Sequence, residues 1–313
     1  MTAKIGYAQA GNDKLRRGAT YASASVAVVL IIAKMVAYFM TDSMAMLSSL
    51  VDSTVDLMAS LVTIYGVASA LRPPDHDHRF GHGKAEPLAA LGQAAFIAGS
   101  SVLLCYEALH RLYHPQSIQN TNLGYSVMAG AIVLSVFLIF FQRYVIRRTA
   151  SMAIGADNIH YLGDLAVNLA VIAAFGLYQF TGLDWFDPVF ALAIALGLIM
   201  SAFHIAKEAL NILMDRELPD QDRAKIISIV KARPLVRGVH DLRTRSDSDR
   251  VFIEFHLELD GTTTLQKAHE VTDDIMGALK KEFPSSDILV HQDPAGLIED
   301  RLDAQIEIRS THK

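Results

Sequence analysis

The stretch His160-Tyr161-Leu162-Gly163-Asp164 (HYLGD) lies inside an apolar run that extends over 152–180. The run can cross a hydrocarbon core of about 30 Å, which takes about 20 helical residues. An ionisable side chain at that depth costs about 2.5–3.5 kcal/mol on insertion scales. Here two of them stand four residues apart, so a helix stacks them on one face. The same spacing recurs at Asp52 and Asp56 in SLVDSTVD, within another apolar run. Two such pairs on facing helices direct three carboxylates and one imidazole into a common space. Four nitrogen and oxygen donors suit a tetrahedral divalent transition ion, zinc above all, with cadmium and ferrous iron open. Mg2+ and Ca2+ prefer all-oxygen shells of six or more ligands, and His160 argues against them. A +2 ion also neutralises carboxylates that would otherwise be buried and unpaired. Asp157 and Asn158, closer to the start of the run, are read as lining an entrance and not as ligands.

Six runs have the length of a membrane span, near 20–40, 44–71, 87–110, 123–146, 152–180 and 187–211. They hold most of the hydrophobic residues, which make up 51% of the 313-residue chain. A net charge of −5 is too small to suggest a nucleic-acid partner, and the single cysteine, Cys105, rules out an intrachain disulfide. The N-terminal segment and the second and fourth connections hold ten basic residues: Lys4, Lys14, Arg16, Arg17, Arg72, Arg79, Lys84, Arg143, Arg147 and Arg148. The first, third and fifth connections hold only Arg111. By the positive-inside rule both termini face the cytoplasm.

Past residue 212 the periodicity changes. Asp220 to Ala232 has the pattern of a helix, VHDLRTRS and RVFIEFHLELDG of strands, TTTLQKAHEVTDDIMGALKKEF of a threonine-capped helix and DILVHQD of a third strand. The expected architecture is a six-helix transmembrane bundle over 1–212 followed by a cytoplasmic α+β domain over 213–295. That domain has the order αββαβ of an open-faced, ferredoxin-like or metallochaperone-like sandwich. Residues 296–313 are expected to form a flexible tail.

Two further clusters are rich in ligand types. The connection PPDHDHRFGHGKAEP holds Asp75, His76, Asp77, His78 and His82 between prolines and glycines that stiffen it, a pattern able to form an exposed metal site. The C-terminal domain holds His240, His256, His269 and His291, with Asp293 on the same strand face as His291.

Together SLVDSTVD, FGHGKAEP, HYLGD and HDLRTR…FIEFHLELDG…AHEVTD…VHQDP resemble the cation diffusion facilitator family, and within it the bacterial zinc and ferrous-iron exporters. The resemblance runs from about residue 15 to 295. It implies a homodimer of six-span protomers in the bacterial inner membrane, exchanging a cytoplasmic divalent metal for protons. By motif it implies a transport site at Asp52, Asp56, His160 and Asp164 and a loop site at Asp75, His78 and His82. It further implies a binuclear cytoplasmic site at His240, His256, His269, His291 and Asp293, and a charge pair between Lys84 and Asp215 where the two parts join. His76 and Asp77 match no ligand position.

The residues themselves supply a reason for exchange. Metal needs ionised carboxylates and neutral imidazole, so its binding expels protons. One set of side chains can then serve both ions alternately. The rival classes are a metal-gated channel and a membrane metalloenzyme. A pore is expected to use rings of weak ligands and not one tight cage. Catalytic zinc keeps an open position beside a base or nucleophile, and no such motif is evident.

Overall fold

The computed structural model describes residues 12–41, 44–113, 122–183, 185–298 and 301–311. Lys4, most of the third connection and the last two residues of the tail lie outside these. Six long helices come first: α1 (Asp13–Thr41), α2 (Met44–Ala70), α3 (Ala85–Tyr113), α4 (Asn122–Thr149), α5 (Met152–Thr181) and α6 (Phe186–Leu213). All six are long and apolar enough to cross a membrane. The chain divides into two compact units, 1–210 and 211–313, each with its own packing.

Lipid tails are as apolar as leucine, so helices in a bilayer associate by close van der Waals contact between small residues. The first unit follows that rule. Ala90, Ala94 and Ile97 of α3, Ala156 of α5, and Ala202, Ile205 and Ala209 of α6 form one buried cluster. Ala19, Val67, Ala89, Val145, Ala153 and Ile154 join α1 to α5 in another. A Cβ on Gly66 would collide with Ala89 of α3, and one on Gly163 would stand 2.8 Å from Leu198 Cδ2 of α6. The glycine of HYLGD therefore lets α6 lie directly against the helix that carries His160. Large apolar side chains such as Phe39, Tyr65, Leu103, Phe137 and Met200 point outward, as they do where the solvent is lipid.

Helix α1 begins at Asp13, not near residue 20. Its polar first turns hide Leu15 and Ala19 against the core, and Arg16 is fully buried. Lys14, Arg16 and Arg17 are thus helix residues and not a free basic segment. Ser151 caps α5 by accepting from the Ile154 N–H, and Gly182, at φ 71°, closes it in the left-handed conformation that glycine tolerates.

The second unit contains α7 (Asp220–Lys231), β1 (Val236–Ser246), β2 (Val251–Leu259), α8 (Leu265–Glu282), β3 (Ser286–Pro294) and α9 (Leu302–Thr311). The sheet order is β1-β2-β3, antiparallel then parallel. Ile253, Phe255 and Leu257 are buried, as are Ile226 and Val230 of α7 and Ile275 and Leu279 of α8. Gln292 reaches from β3 to Thr272 of α8, so the helices cover the Gln292 face. By alternation His291 and Asp293 take the other face.

The tail is not the loose segment expected. It carries α9, held by a reciprocal cap: Asp241 accepts from the N–H groups of Leu302 and Asp303 at 3.0 and 2.9 Å, and Asp303 accepts from the Asp241 N–H at 2.8 Å. Asp241 has φ 50° and sits in the irregularity of β1 between His240 and Arg243. Hydropathy is blind to this contact because both partners are acidic.

Candidate metal centres

Among the described residues, three groups of side chains could each hold a cation. In the membrane unit, Asp56 of α2 and His160 and Asp164 of α5 offer ligand atoms that all lie within 4.8 Å of one another. His160 Nε2 stands 2.8 Å from Asp56 Oδ1 and 3.8 Å from Asp164 Oδ2. The imidazole is buried, with 6% of its side chain exposed. Asp52 lies one turn along α2, exposed on the protomer and outside this group.

The second group is Asp75, His78 and His82 in the connection between α2 and α3. Asp75 Oδ1 accepts from the backbone N–H groups of His78 and Asp77 at 2.8 and 3.1 Å. The His78 amide holds this carboxyl below the usual carboxylate range. His78 Nδ1 and His82 Nε2 each come within 3.2 Å of an Asp75 oxygen. His76 lies 3.5 Å from Asp77, with both side chains in solvent.

The third group is built on backbone pairing. His240 is registered against His256, and His256 against His291, so three strands place three imidazoles in one row. Their ring centroids are 5.0 and 4.7 Å apart in sequence along that row. Asp293 reaches all three: its carboxylate oxygens lie 2.8 Å from His256 Nδ1, 3.1 Å from His291 Nε2 and 3.7 Å from His240 Nε2. His240, His256 and Asp293 satisfy the same mutual distance as the membrane group. His269 does not join them: it is exposed on α8, in the helix layer, 3.4 Å from Asp273. Glu258, which sequence reasoning passed over, lies 3.0 Å from His240 Nδ1 and accepts from Arg301 at 2.6 Å.

Lys84 and Asp215 fall in different units. Lys84 stands in the turn that opens α3, its carbonyl accepting from the Leu88 N–H, and the Asp215 carboxylate is 3.6 Å from Arg245.

Asp157 is not an entrance residue. It is 1% exposed and accepts from Ser23 of α1, Gln93 of α3 and Gln142 of α4, at 2.6, 3.1 and 2.6 Å. Gln93 donates in addition to Thr63 of α2. One carboxylate therefore ties α5 to three helices directly and to α2 through an amide, one turn before His160. Asn158 donates to Gln142 and to the Ile139 carbonyl. Arg16 and Glu86 form a second buried link, an ion pair between α1 and α3 that takes in the α5 cap through Ser151, whose hydroxyl donates to Glu86 at 2.5 Å. Spacing alone could not separate these structural acids from ligands, since all are carboxylates in apolar surroundings.

The profile of the cation efflux transmembrane domain matches residues 20–214, and that of the cation efflux protein cytoplasmic domain matches 218–295. Over 285 residues the chain is 40% identical to the cation-efflux pump FieF of Serratia proteamaculans, covering 91% of this chain and 95% of that one. Over 276 residues it is 43% identical to the cation-efflux pump FieF of Shewanella oneidensis, covering 88% and 93%. Among solved structures, the metal-bound C-terminal domain of the CzcD transporter from Thermotoga maritima is 27% identical, covering 26% of this chain and 100% of that one at a TM-score of 0.25. With both profiles in order along it and the two FieF pumps matching nearly end to end, the chain belongs to the cation efflux, or cation diffusion facilitator, family: it is a multi-pass membrane transporter of divalent cations and not an enzyme.

Proposed function

We propose that this transporter moves Zn2+ out of the cytoplasm in exchange for protons, binding both in turn at Asp52, Asp56, His160 and Asp164. Cd2+ and Fe2+ are further cargo for the same donors. The observation that carries this reading is the meeting of Asp56, His160 and Asp164 inside an apolar bundle. A buried imidazole 2.8 Å from a carboxylate holds a proton between them, and a cation entering that contact displaces it. Asp52, a turn away on α2, completes the cage as α2 and α5 adjust.

Moving +2 outward against 100 mV costs about 4.6 kcal/mol, and each proton returning recovers about 2.3 kcal/mol. Proton exchange is therefore able to drive the step. The protein works as a homodimer in the bacterial inner membrane with both termini cytoplasmic. The cytoplasmic domain, with His240, His256, His269, His291 and Asp293, binds metal on the cytoplasmic side and tightens the dimer. The loop site at Asp75, His78 and His82 collects metal between the second and third spans.

Reconstituted vesicles with an imposed proton gradient test this. Wild-type protein should accumulate Zn2+ with counterflow of protons, and Asp164→Ala should abolish both. Transport by Asp164→Ala at the wild-type rate overturns the site.

A further inference from the structure

Lys34 lies seven residues before the end of α1, inside a run read as membrane-spanning. An ammonium at such depth is expensive and needs a partner. Its Nζ donates to the buried Ser53 hydroxyl of α2 at 2.6 Å and to the Ser49 carbonyl at 3.1 Å. Both acceptors are neutral, so the positive charge itself is not cancelled there. Ser53 follows Asp52 directly and precedes Asp56 by less than one turn. The ammonium is therefore held on the turn of α2 that carries Asp52 and leads to Asp56.

The charges of the site leave a place for it. Three carboxylates and a neutral imidazole carry −3, and a +2 ion leaves one carboxylate uncompensated in a medium that penalises it. Three other cations on these helices have partners of their own: Arg16 with Glu86, Arg111 with Glu107 and Asp187, and Arg148 over the Tyr144 ring. Asp157 draws its compensation from Ser23, Gln93 and Gln142. We propose that Lys34, anchored on α2 by Ser49 and Ser53, is the fixed counter-cation of the transport site, offsetting the carboxylate that a divalent ion leaves uncompensated. This rests on the transport-site assignment above.

Such a charge has opposite effects on binding and on movement. It repels the incoming ion, weakening capture, and it keeps the loaded site close to neutral while α2 and α5 carry it across. Lys34 is thus a positioning residue acting by charge, and a split between half-saturating concentration and maximal rate reveals it.

The test uses the full chain in proteoliposomes, with Zn2+ as the probe. Lys34→Met, which keeps length and loses charge, should lower the half-saturating Zn2+ concentration about three- to tenfold. Its maximal rate should fall by about tenfold or more. Lys34→Arg should keep both values within about twofold. Ser53→Ala removes the hydrogen bond but leaves the charge, and should also stay near wild type. Should Lys34→Met fail to insert, Lys34→Gln, able to bond Ser53, carries the same test. Unchanged kinetics in the uncharged variant, weaker capture in it, or a Ser53→Ala variant that reproduces it would each overturn the proposal. Asp164→Ala run alongside separates the two ideas: if it is inactive while Lys34→Met behaves as wild type, the site stands and the counter-cation falls.

Discussion

The membrane group and the sheet group use the same chemistry, imidazole beside carboxylate, on opposite kinds of support. Asp56 comes from α2 while His160 and Asp164 come from α5, two helices joined at this level only through side chains. His240, His256 and His291 come from three strands whose backbones are hydrogen-bonded in register. Each group leaves one expected ligand outside it, Asp52 on α2 and His269 on α8, but the sheet group is set by strand register around Asp293. A site that must release its ion needs parts that shift, and a site that registers an ion benefits from parts that do not.

The widest contrast should come from removing one carboxylate in each place. Asp164→Ala should lower Zn2+ flux in vesicles by more than about a hundredfold, whereas Asp293→Ala should leave the maximal flux at saturating metal within about twofold. Equal losses would erase the distinction between a moving and a fixed centre. Next in size is the buried Arg16–Glu86 link. Arg16→Ala leaves Glu86 buried without its counter-cation, and should cost about 3–5 kcal/mol of stability. Thermal denaturation in detergent measures it, and an unchanged midpoint would show that the membrane unit relies on other ties.

A fragment spanning 217–313 sharpens the comparison from the other side. It has its own buried core and should fold without detergent, with zinc at a hundredfold excess over Kd adding about 2.7 kcal/mol. Calorimetry on His256→Ala should show that gain lost. The smallest effect concerns α9. Burial pushes the Asp241 carboxyl up, but the N–H groups of Asp303 and Leu302 outweigh it and hold the pKa below its ordinary value. A depressed folded-state pKa means that this contact stabilises above the unfolded carboxylate value near 3.9 and weakens as pH falls through the folded one. Asp241→Asn should release α9 at neutral pH at a cost of about 1 kcal/mol, seen as faster amide exchange over 302–311.

Much of this could be read in the sequence, for identifiable reasons. Length and hydropathy locate the six helices because a bilayer admits few alternatives. Period-2 alternation locates β2, and a threonine followed by an apolar stripe locates α8. The i, i+4 spacing of His160 and Asp164 exposes a shared helix face. Tertiary partnerships were not legible. Arg16 belongs to the core only because Glu86 meets it, and Asp157 is a hub only because Ser23, Gln93 and Gln142 converge on it from three other helices. Lys34 had a visible signal, a lone cation in an apolar run, but its spacing does not reveal that it meets α2 beside Asp52. His269 shows the converse: a histidine in the right stretch of chain that the helix layer keeps away from its expected neighbours.

The row of imidazoles also has a consequence in time. A ribosome makes β3 after all six spans and after β1 and β2, and β3 carries both His291 and Asp293. Asp293 is the carboxylate that all three histidines share. Until that strand emerges, the growing chain already holds Asp56, His160 and Asp164 but has no assembled cluster on its sheet. A message truncated within α8 would therefore encode the membrane group without the sheet group, and any metal binding on the sheet would have to wait for β3.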